Sequence, residues 1–446
     1  MNEADKKETS VRAVLDLAWP VMVSMLSYTF MSVVDTIFVS RLGTDPLAAV
    51  GLASILVFFS QSFGAGLMGG VRVLVAQATG AAEHLVASRI SWQGLWIALP
   101  LGVAMATLSL LPPSLFSLLG ATDAVAELAD QFFNIRVLGA PLVLTNLAIS
   151  AWFQGKGDTK TPMRAALIGN SINIALDPLL IFGLAGMPRL GIAGAATATI
   201  IAMLVSVAYL CRAIIPHIRD VAHAVDPTLL RPLWHIGAPI GVRYTLEMGS
   251  FVAFSAMIAF VGPVSLAAHI IVVRLCSISF LPGHAIGEAA GVLVGQFIGA
   301  KRHDLARPVM WSATKLAVGI MMSWGLIFWL GPSMLLMPFN AEPAVIDIAV
   351  RILLIAAAFQ IFDAIVMVVS GGLNGAGDTR WVMGVSLLGA WLIKVPFAYW
   401  FIFGLHLGAP GAWLAFTAEL VILSIFFVRR ARGNAWLGHT VLPDSG

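Results

Sequence analysis

Long apolar stretches of this 446-residue chain contain acidic residues, among them Asp35, Asp177, Glu247 and Asp363. An acid within a membrane-spanning helix costs roughly 2.5–3.5 kcal/mol on insertion scales, so acids found there mark candidate functional sites. A buried carboxyl group can bind a hard cation such as Na⁺, or it can carry a proton because burial favours its neutral form. The chemistry open to these residues is therefore reversible binding of H⁺ or Na⁺.

Asn173 lies four residues before Asp177 and so on the same face of a predicted helix. The amide supplies a neutral oxygen and the acid supplies a carboxylate. This pair can bind Na⁺ once further oxygens complete its coordination. Thr199, in the next apolar stretch, is a candidate donor of one of those oxygens.

Three of these acids also have a structural alternative. Glu247 could neutralise Arg243, which lies one helical turn earlier. Asp177 precedes a proline and could serve as a hydrogen-bond acceptor at a bend, and Asp35 could lie near the outer interface and be solvated.

Other polar side chains in the apolar stretches do not form a catalytic set. His269 and His284 have no second metal ligand at useful spacing, and Glu419 and Lys394 are expected to pair or to extend toward the interface. Without a convergent nucleophile, acid pair or metal cluster, we expect a protein that is not an enzyme and needs no cofactor.

The composition indicates that lipid surrounds most of the chain. Hydrophobic residues make up 59% and charged residues 11%, whereas soluble domains carry about 25% charged residues. About twelve stretches are apolar over the roughly 20 residues that a membrane-spanning helix needs. The basic residues form short clusters between these stretches rather than a stripe suited to nucleic acid.

The connections between the apolar stretches alternate in charge. Nearly all of the lysine and arginine residues in these connections lie on one side of the predicted membrane. The connections on the other side have only Arg41 and Arg189. The positive-inside rule then places both termini in the cytoplasm. We expect a multi-pass protein of the bacterial inner membrane that works as a monomer.

An internal repeat relates the two halves of the chain at an offset close to 219 residues. The matching segments are LAWP with IGAP, LAAV with LAAH, VAQATGA with VGQFIGA, GKGDTKTPM with GAGDTRWVM, and GIAGAA with GAPGAW. The repeated GDT turns place Asp158 and Asp378 where each could cap the following helix. Because each half holds about six helices, the halves are predicted to be parallel repeats.

The repeat does not extend to the acids. The position offset by 219 residues from Asp35 is Phe254, and the corresponding partner of Glu247 is Tyr28. Methionine and aromatic side chains provide adaptable apolar contacts. We expect Tyr28, Met31 and Phe254 to contact a substrate; the alternative is that such side chains face lipid or pack in the core, which explains most of the methionines and phenylalanines.

The predicted fold is an all-α polytopic membrane protein with about twelve transmembrane helices in two parallel, pseudo-symmetric six-helix lobes. The predicted segments are a cytoplasmic N-terminus (1–11), an N-lobe (12–215), a cytoplasmic inter-lobe loop (216–230), a C-lobe (231–430) and a cytoplasmic C-terminus (431–446).

These segments resemble the MATE family, the multidrug and toxic compound extrusion transporters, over roughly residues 12–430. The resemblance is carried by VDTIFVSRLG, GKGDTKTPM, NIALDPLLIFG and GIAGAATAT, together with the LAWP and IGAP starts. It implies that Asp35, Asn173, Asp177 and Thr199 match the cation-site positions of the DinF-like branch and could hold Na⁺. Glu247 and Asp363 match acids used by the NorM-like branch.

The resemblance implies an antiporter that exports amphipathic, cationic organic compounds in exchange for H⁺ or Na⁺, with substrate in a cavity between or within the lobes. One alternative is a flippase of lipid-linked precursors from the same superfamily. Such a protein would have a cationic cavity, whereas the central acids here outnumber obvious central bases.

Overall fold

The computed structural model describes the following residues: 5, 8–112, 114–118, 120–438 and 441. Within them, eleven helices are long and apolar enough to cross a membrane, or twelve spans if one bent pair is counted as a single span. The prediction of an all-α protein with about twelve spans is confirmed. Helices suit a lipid environment because they satisfy their backbone hydrogen bonds internally.

In the first half of the chain the helices are α1 (Val11–Ser40), α2 (Thr44–Gly80), α3 (His84–Ala106), α4 (Ser114–Leu118), α5 (Asp123–Leu138), α6 (Ala140–Gly155), α7 (Lys160–Phe182) and α8 (Ile192–Ile218). In the second half they are α9 (Pro227–Val261), α10 (Pro263–Gly299), α11 (His303–Leu330), α12 (Pro332–Leu336), α13 (Pro343–Gly375), α14 (Thr379–Leu388), α15 (Val395–Tyr399) and α16 (Gly408–Arg432). Helices α5 and α6 form the bent span, with an angle of 45° between them.

The span that contains α14 and α15 is wound irregularly. Two π-helical segments interrupt it, Gly389–Lys394 and Trp400–Gly404. Pro396 follows the first segment and cannot donate a backbone hydrogen bond to the preceding turn. Wider π turns are a common way to accommodate such a break, and they are frequent at functional sites.

The chain forms two compact units. The N-unit contains residues 20–79 and 83–241, and the C-unit contains the residues before Pro20, residues 80–82 and residues 242–441. Helices α1 and α9 each run through a unit boundary, near Pro20 and at Gly241.

The connection between α8 and α9 packs closely on α3 of the N-unit. Trp92 Nε1 donates to the carbonyl of Ile218 at 3.3 Å, and Trp96 Nε1 donates to the carbonyl of His223 at 2.7 Å. Arg89 also pairs with Asp226, the residue before α9. The connection between α8 and α9 is therefore held within the N-unit by several side chains.

Within the C-unit, α10 and α13 approach closely along a row of glycines. A Cβ atom on Gly287 would lie 2.7 Å from the carbonyl oxygen of Met367, and one on Gly291 would lie 2.8 Å from that of Gly371. Small residues at four-residue spacing let helix backbones pack directly in membranes. This crossing fixes the position of α13, which carries Asp363.

The two GDT turns of the repeat differ in their contacts. Asp158 Oδ1 accepts hydrogen bonds from the backbone N–H groups of Lys160 and Thr161, each at 3.0 Å, as predicted for a cap. The same prediction is wrong for Asp378. Its carboxylate makes no capping hydrogen bond, because it forms a two-pronged ion pair with Arg430 at 2.7 and 3.1 Å.

Candidate cation-coupling sites

The predicted N-unit residues come together where three helices meet. Asn173 and Asp177 are fully buried on one face of α7, and Thr199 lies on the neighbouring helix α8. With its amide oriented to satisfy both neighbours, Asn173 donates to Asp35 Oδ1 of α1 at 2.9 Å and accepts from the backbone N–H of Thr199 at 3.3 Å. One amide therefore links all three helices.

A second contact holds α1 against α7. Asn170, one turn before Asn173, donates from Nδ2 to the Ser27 hydroxyl of α1 at 2.7 Å. The Thr199 hydroxyl donates to the carbonyl of Ala195 at 2.9 Å, which leaves its oxygen lone pairs able to accept a proton donor or a cation. The oxygens that the sequence predicted for a cation site are thus positioned by packed helices.

Asp35 and Asp177 face each other within hydrogen-bonding reach. Neither carboxylate oxygen of Asp177 accepts a hydrogen bond from any N–H or O–H group among the described residues. The alternative role for Asp177, as a structural acceptor at a bend, is therefore not supported. Asp177 is buried and Asp35 is partly buried. Two carboxylates in this arrangement repel each other until they share a proton or bind a cation.

The α1 side chains Tyr28, Met31 and Asp35 lie on one helical stripe at three- and four-residue spacing. Tyr28 is 38% exposed and Met31 is half-buried, so both remain candidates for substrate contact. Arg136 of α5 interacts electrostatically with Asp35 and Tyr28. The sequence alone did not predict a role for this arginine, because no motif marks it.

The C-unit contains a second cluster of acids. Asp363 of α13 is 5% exposed, and its Oδ2 accepts no hydrogen bond from the described residues. Glu419 of α16 interacts electrostatically with both Asp363 and Glu247 of α9. Lys394 joins this cluster through an ion pair with Glu419, at 3.4 Å between Nζ and Oε2. The two predicted acids are thus gathered with a third acid and one base.

Glu247 does not form an ion pair with Arg243. The Arg243 guanidinium lies 5.1 Å from the centre of the Tyr244 ring, and no ion pair joins it to Glu247, both of which are described residues. The alternative in which Glu247 neutralises Arg243 is not supported.

Phe254 lies in the C-unit core. It is 1% exposed and packs against the rings of Phe251, His269, Trp413 and Phe416. This environment gives Phe254 a packing role, and we do not propose it as a substrate contact.

Comparison with known families accounts for the internal repeat. Two segments of the chain, residues 20–179 and 239–400, match the MatE family model. The chain belongs to the MatE family. The two matches begin 219 residues apart, the same offset that relates the repeated sequence segments.

Curated relatives extend over nearly the whole chain. A probable multidrug resistance protein NorM of Burkholderia pseudomallei is 35% identical over 437 residues, covering 95% of this chain and 92% of the relative. The multidrug resistance protein NorM of Burkholderia vietnamiensis is 33% identical, covering 93% and 92%. These relatives place the chain near the NorM-like branch of the MatE family.

Solved structures share the fold at lower sequence identity. A MOP superfamily transporter from Pyrococcus furiosus, described as having a binding pocket of reverse polarity, aligns with a TM-score of 0.90 at 23% identity and covers 99% of this chain and 100% of its own. A multidrug resistance MATE family transporter in an outward-facing conformation also aligns at 0.90, with 22% identity and the same coverage.

Proposed function

We propose that this protein exports amphipathic, cationic organic compounds across the bacterial inner membrane in exchange for inward H⁺ or Na⁺. Relatives named multidrug resistance proteins support export of diverse compounds. The charge pattern of the connections supports cytoplasmic termini. We propose that the protein acts as a monomer.

The observation that carries the proposal is the facing pair of Asp35, which is partly buried, and Asp177, which is fully buried, in a helix-lined site. A proton or Na⁺ taken up by this pair removes the repulsion between the carboxylates. Because the pair joins α1 to α7, its charge state alters the packing of α1. An organic cation attracted to the same negative charge then competes with the coupling ion.

Exchange also needs reciprocal coupling between the two ligands. The ion must weaken substrate binding in the state from which substrate leaves, and substrate must weaken ion binding equally. A shared set of carboxylates provides this directly, since each cation reduces the negative charge that attracts the other. In the C-unit, Glu247 and Asp363 provide a second set of carboxyl groups for binding the coupling ion.

The balance of charge favours cation export over flipping of anionic lipid-linked precursors. The N-unit site has two acids, Asp35 and Asp177, beside one base, Arg136. The C-unit cluster has three acids beside one base. An anionic headgroup would be repelled from either cluster while its acids remain ionised.

The proposal is tested by export of a fluorescent organic cation from liposomes containing purified protein. The wild type should move the dye when an inward H⁺ or Na⁺ gradient is imposed. Asp35→Asn should abolish this movement while the variant still purifies as folded protein. Translocation of a labelled lipid-linked precursor, without gradient-driven dye movement, would contradict the proposal and support the flippase.

A further inference from the structure

The ion pair between Lys394 and Glu419 lies inside the C-unit, where unpaired charges are costly. The two side chains are 7% and 5% exposed, and Nζ lies 3.4 Å from Oε2. A buried ammonium or carboxylate group that loses its partner strongly destabilises a protein, because its charge is left uncompensated. Separating Lys394 from Glu419 is therefore energetically unfavourable.

Helix α16 holds the lysine in two ways. Its Glu419 pairs with the ammonium group, and its Phe416, one turn earlier, places a ring centre 5.6 Å from Nζ. Lys394 is the last residue of the first π-helical segment, immediately before the turn that contains Pro396. The irregular winding of this span thus sets the direction from which the ammonium group enters the acid cluster.

Among the described residues, no ion pair joins Asp363 or Glu247 to a cationic group. Glu419 interacts with Asp363 and Glu247, and Asp363 Oδ2 accepts no hydrogen bond from the described residues. Among the described residues, Cys276 lies beside Asp363, and the ring nitrogens of His269 contact Ser255 and Trp413. Lys394 thus pairs with Glu419, the acid that interacts with the other two.

We propose that Lys394 is a tethered cation that occupies Glu419 and leaves Asp363 and Glu247 for the transported cation. Lys394 is in this sense a positioning residue, because it sets how many carboxylates the exchanged ion encounters. This inference rests on the proposed cation exchange and adds to it a residue that limits the number of cations taken up by the C-unit.

Removing the charge of Glu419 and removing the charge of Lys394 should affect transport in different ways. In Glu419→Gln the ammonium group loses its carboxylate and pairs with Asp363 or Glu247, which blocks the exchange position. We expect gradient-driven dye transport to fall at least about tenfold. In Lys394→Gln the freed carboxylate adds to the site. We expect transport to persist, with half-saturation by the coupling cation shifted about tenfold, or by about one pH unit for H⁺.

The double variant Lys394→Gln/Glu419→Gln is the decisive member of the set. It removes both charges and leaves Asp363 and Glu247 as they are, so transport and cation dependence should return to within about threefold of the wild type. Lys394→Arg keeps the positive charge and should keep the wild-type cation dependence. The exposed pair Arg351 and Asp347, 2.9 Å apart on α13, provides matched control variants that should leave transport unchanged.

Transport is measured per amount of folded protein, with the thermal midpoint of each variant recorded alongside. If a single variant does not accumulate, the charge-swapped pair Lys394→Glu/Glu419→Lys replaces it and should retain transport. A double variant no more active than Glu419→Gln would overturn the inference, as would single variants that lose thermal stability but transport normally per folded molecule. Failure of the wild type to respond to either gradient would instead overturn the proposed exchange, and this inference with it.

Discussion

Asp35 of α1 and Asp177 of α7 direct their carboxyl groups toward each other inside the N-unit, although 142 positions separate them in the chain. Asn173 donates to Asp35 and so fixes one side of the pair. This arrangement makes the charge of the site depend on a bound proton or cation, and the helices that carry the two acids respond to that charge.

Neutral replacement of either acid should uncouple transport from the ion gradient. Asp177→Asn removes the repulsion permanently, so binding of the ion no longer changes the site. We expect gradient-driven dye export to fall at least about tenfold, within the range of measured coupling free energies. Asp45→Asn, an exposed acid in the first turn of α2, is the control. Export by Asp177→Asn at the wild-type rate would remove this pair from the mechanism.

Arg136 should set the affinity of the N-unit site for its cation. Its positive charge favours the ionised form of Asp35 and repels an approaching cation. Arg136→Gln should therefore lower the concentration of coupling cation needed for half-maximal transport, by about three- to tenfold. Arg136→Lys should show little change. Identical cation dependence in the wild type and the glutamine variant would show that Arg136 does not act on the site.

Asp226 should stabilise the connection before α9 in a pH-dependent way. Hydrogen bonds from Thr228, together with the Arg89 guanidinium, hold the pKa of the Asp226 carboxyl group below its usual value. Its contribution to stability is present above the unfolded pKa of about 3.9 and is lost as the pH falls through the lower folded pKa. Asp226→Asn should thus lower the thermal midpoint at pH 7 but have little effect near pH 3. An equal difference at both pH values would contradict this role.

Much of the scaffold could be predicted from the sequence, because lipid imposes simple rules on length and apolarity. The twelve apolar stretches and the 219-residue offset follow directly from those rules and from the repeated turns. Helical periodicity predicted that Asn173 and Asp177 share one helix face. The structure shows that Asp35 of α1 lies next to them.

Contacts between distant helices could not be predicted in the same way. Asp158 and Asp378 have the same local sequence context, yet only Asp158 caps a helix, because Arg430 of α16 reaches Asp378. Phe254 matches Asp35 by repeat position but lies in an aromatic core. Pairing of Glu419 with Lys394 was expected from their types, but their closeness to Asp363 depends on the packing of α13 and α16.

The crossing of α10 and α13 should tolerate no added methyl group. Alanine at Gly287 would place its Cβ 2.7 Å from the Met367 carbonyl oxygen, and overpacking of this kind costs about 1–3 kcal/mol. Gly319→Ala on α11 is the matched control, since nothing lies within 4 Å of the added atom. This control should be neutral or stabilising by up to about 1 kcal/mol. Thermal unfolding in detergent measures both variants, and equal midpoints would refute the close packing.

The most direct test of cation exchange is dye transport in liposomes with H⁺ and Na⁺ gradients imposed separately on wild-type, Asp35→Asn and Asp177→Asn protein. Antiport predicts that at least one gradient drives the dye in the opposite direction to the ion, and that both variants lose this response while remaining folded. Dye movement that is independent of both gradients would contradict cation exchange, as would variants that respond as the wild type does.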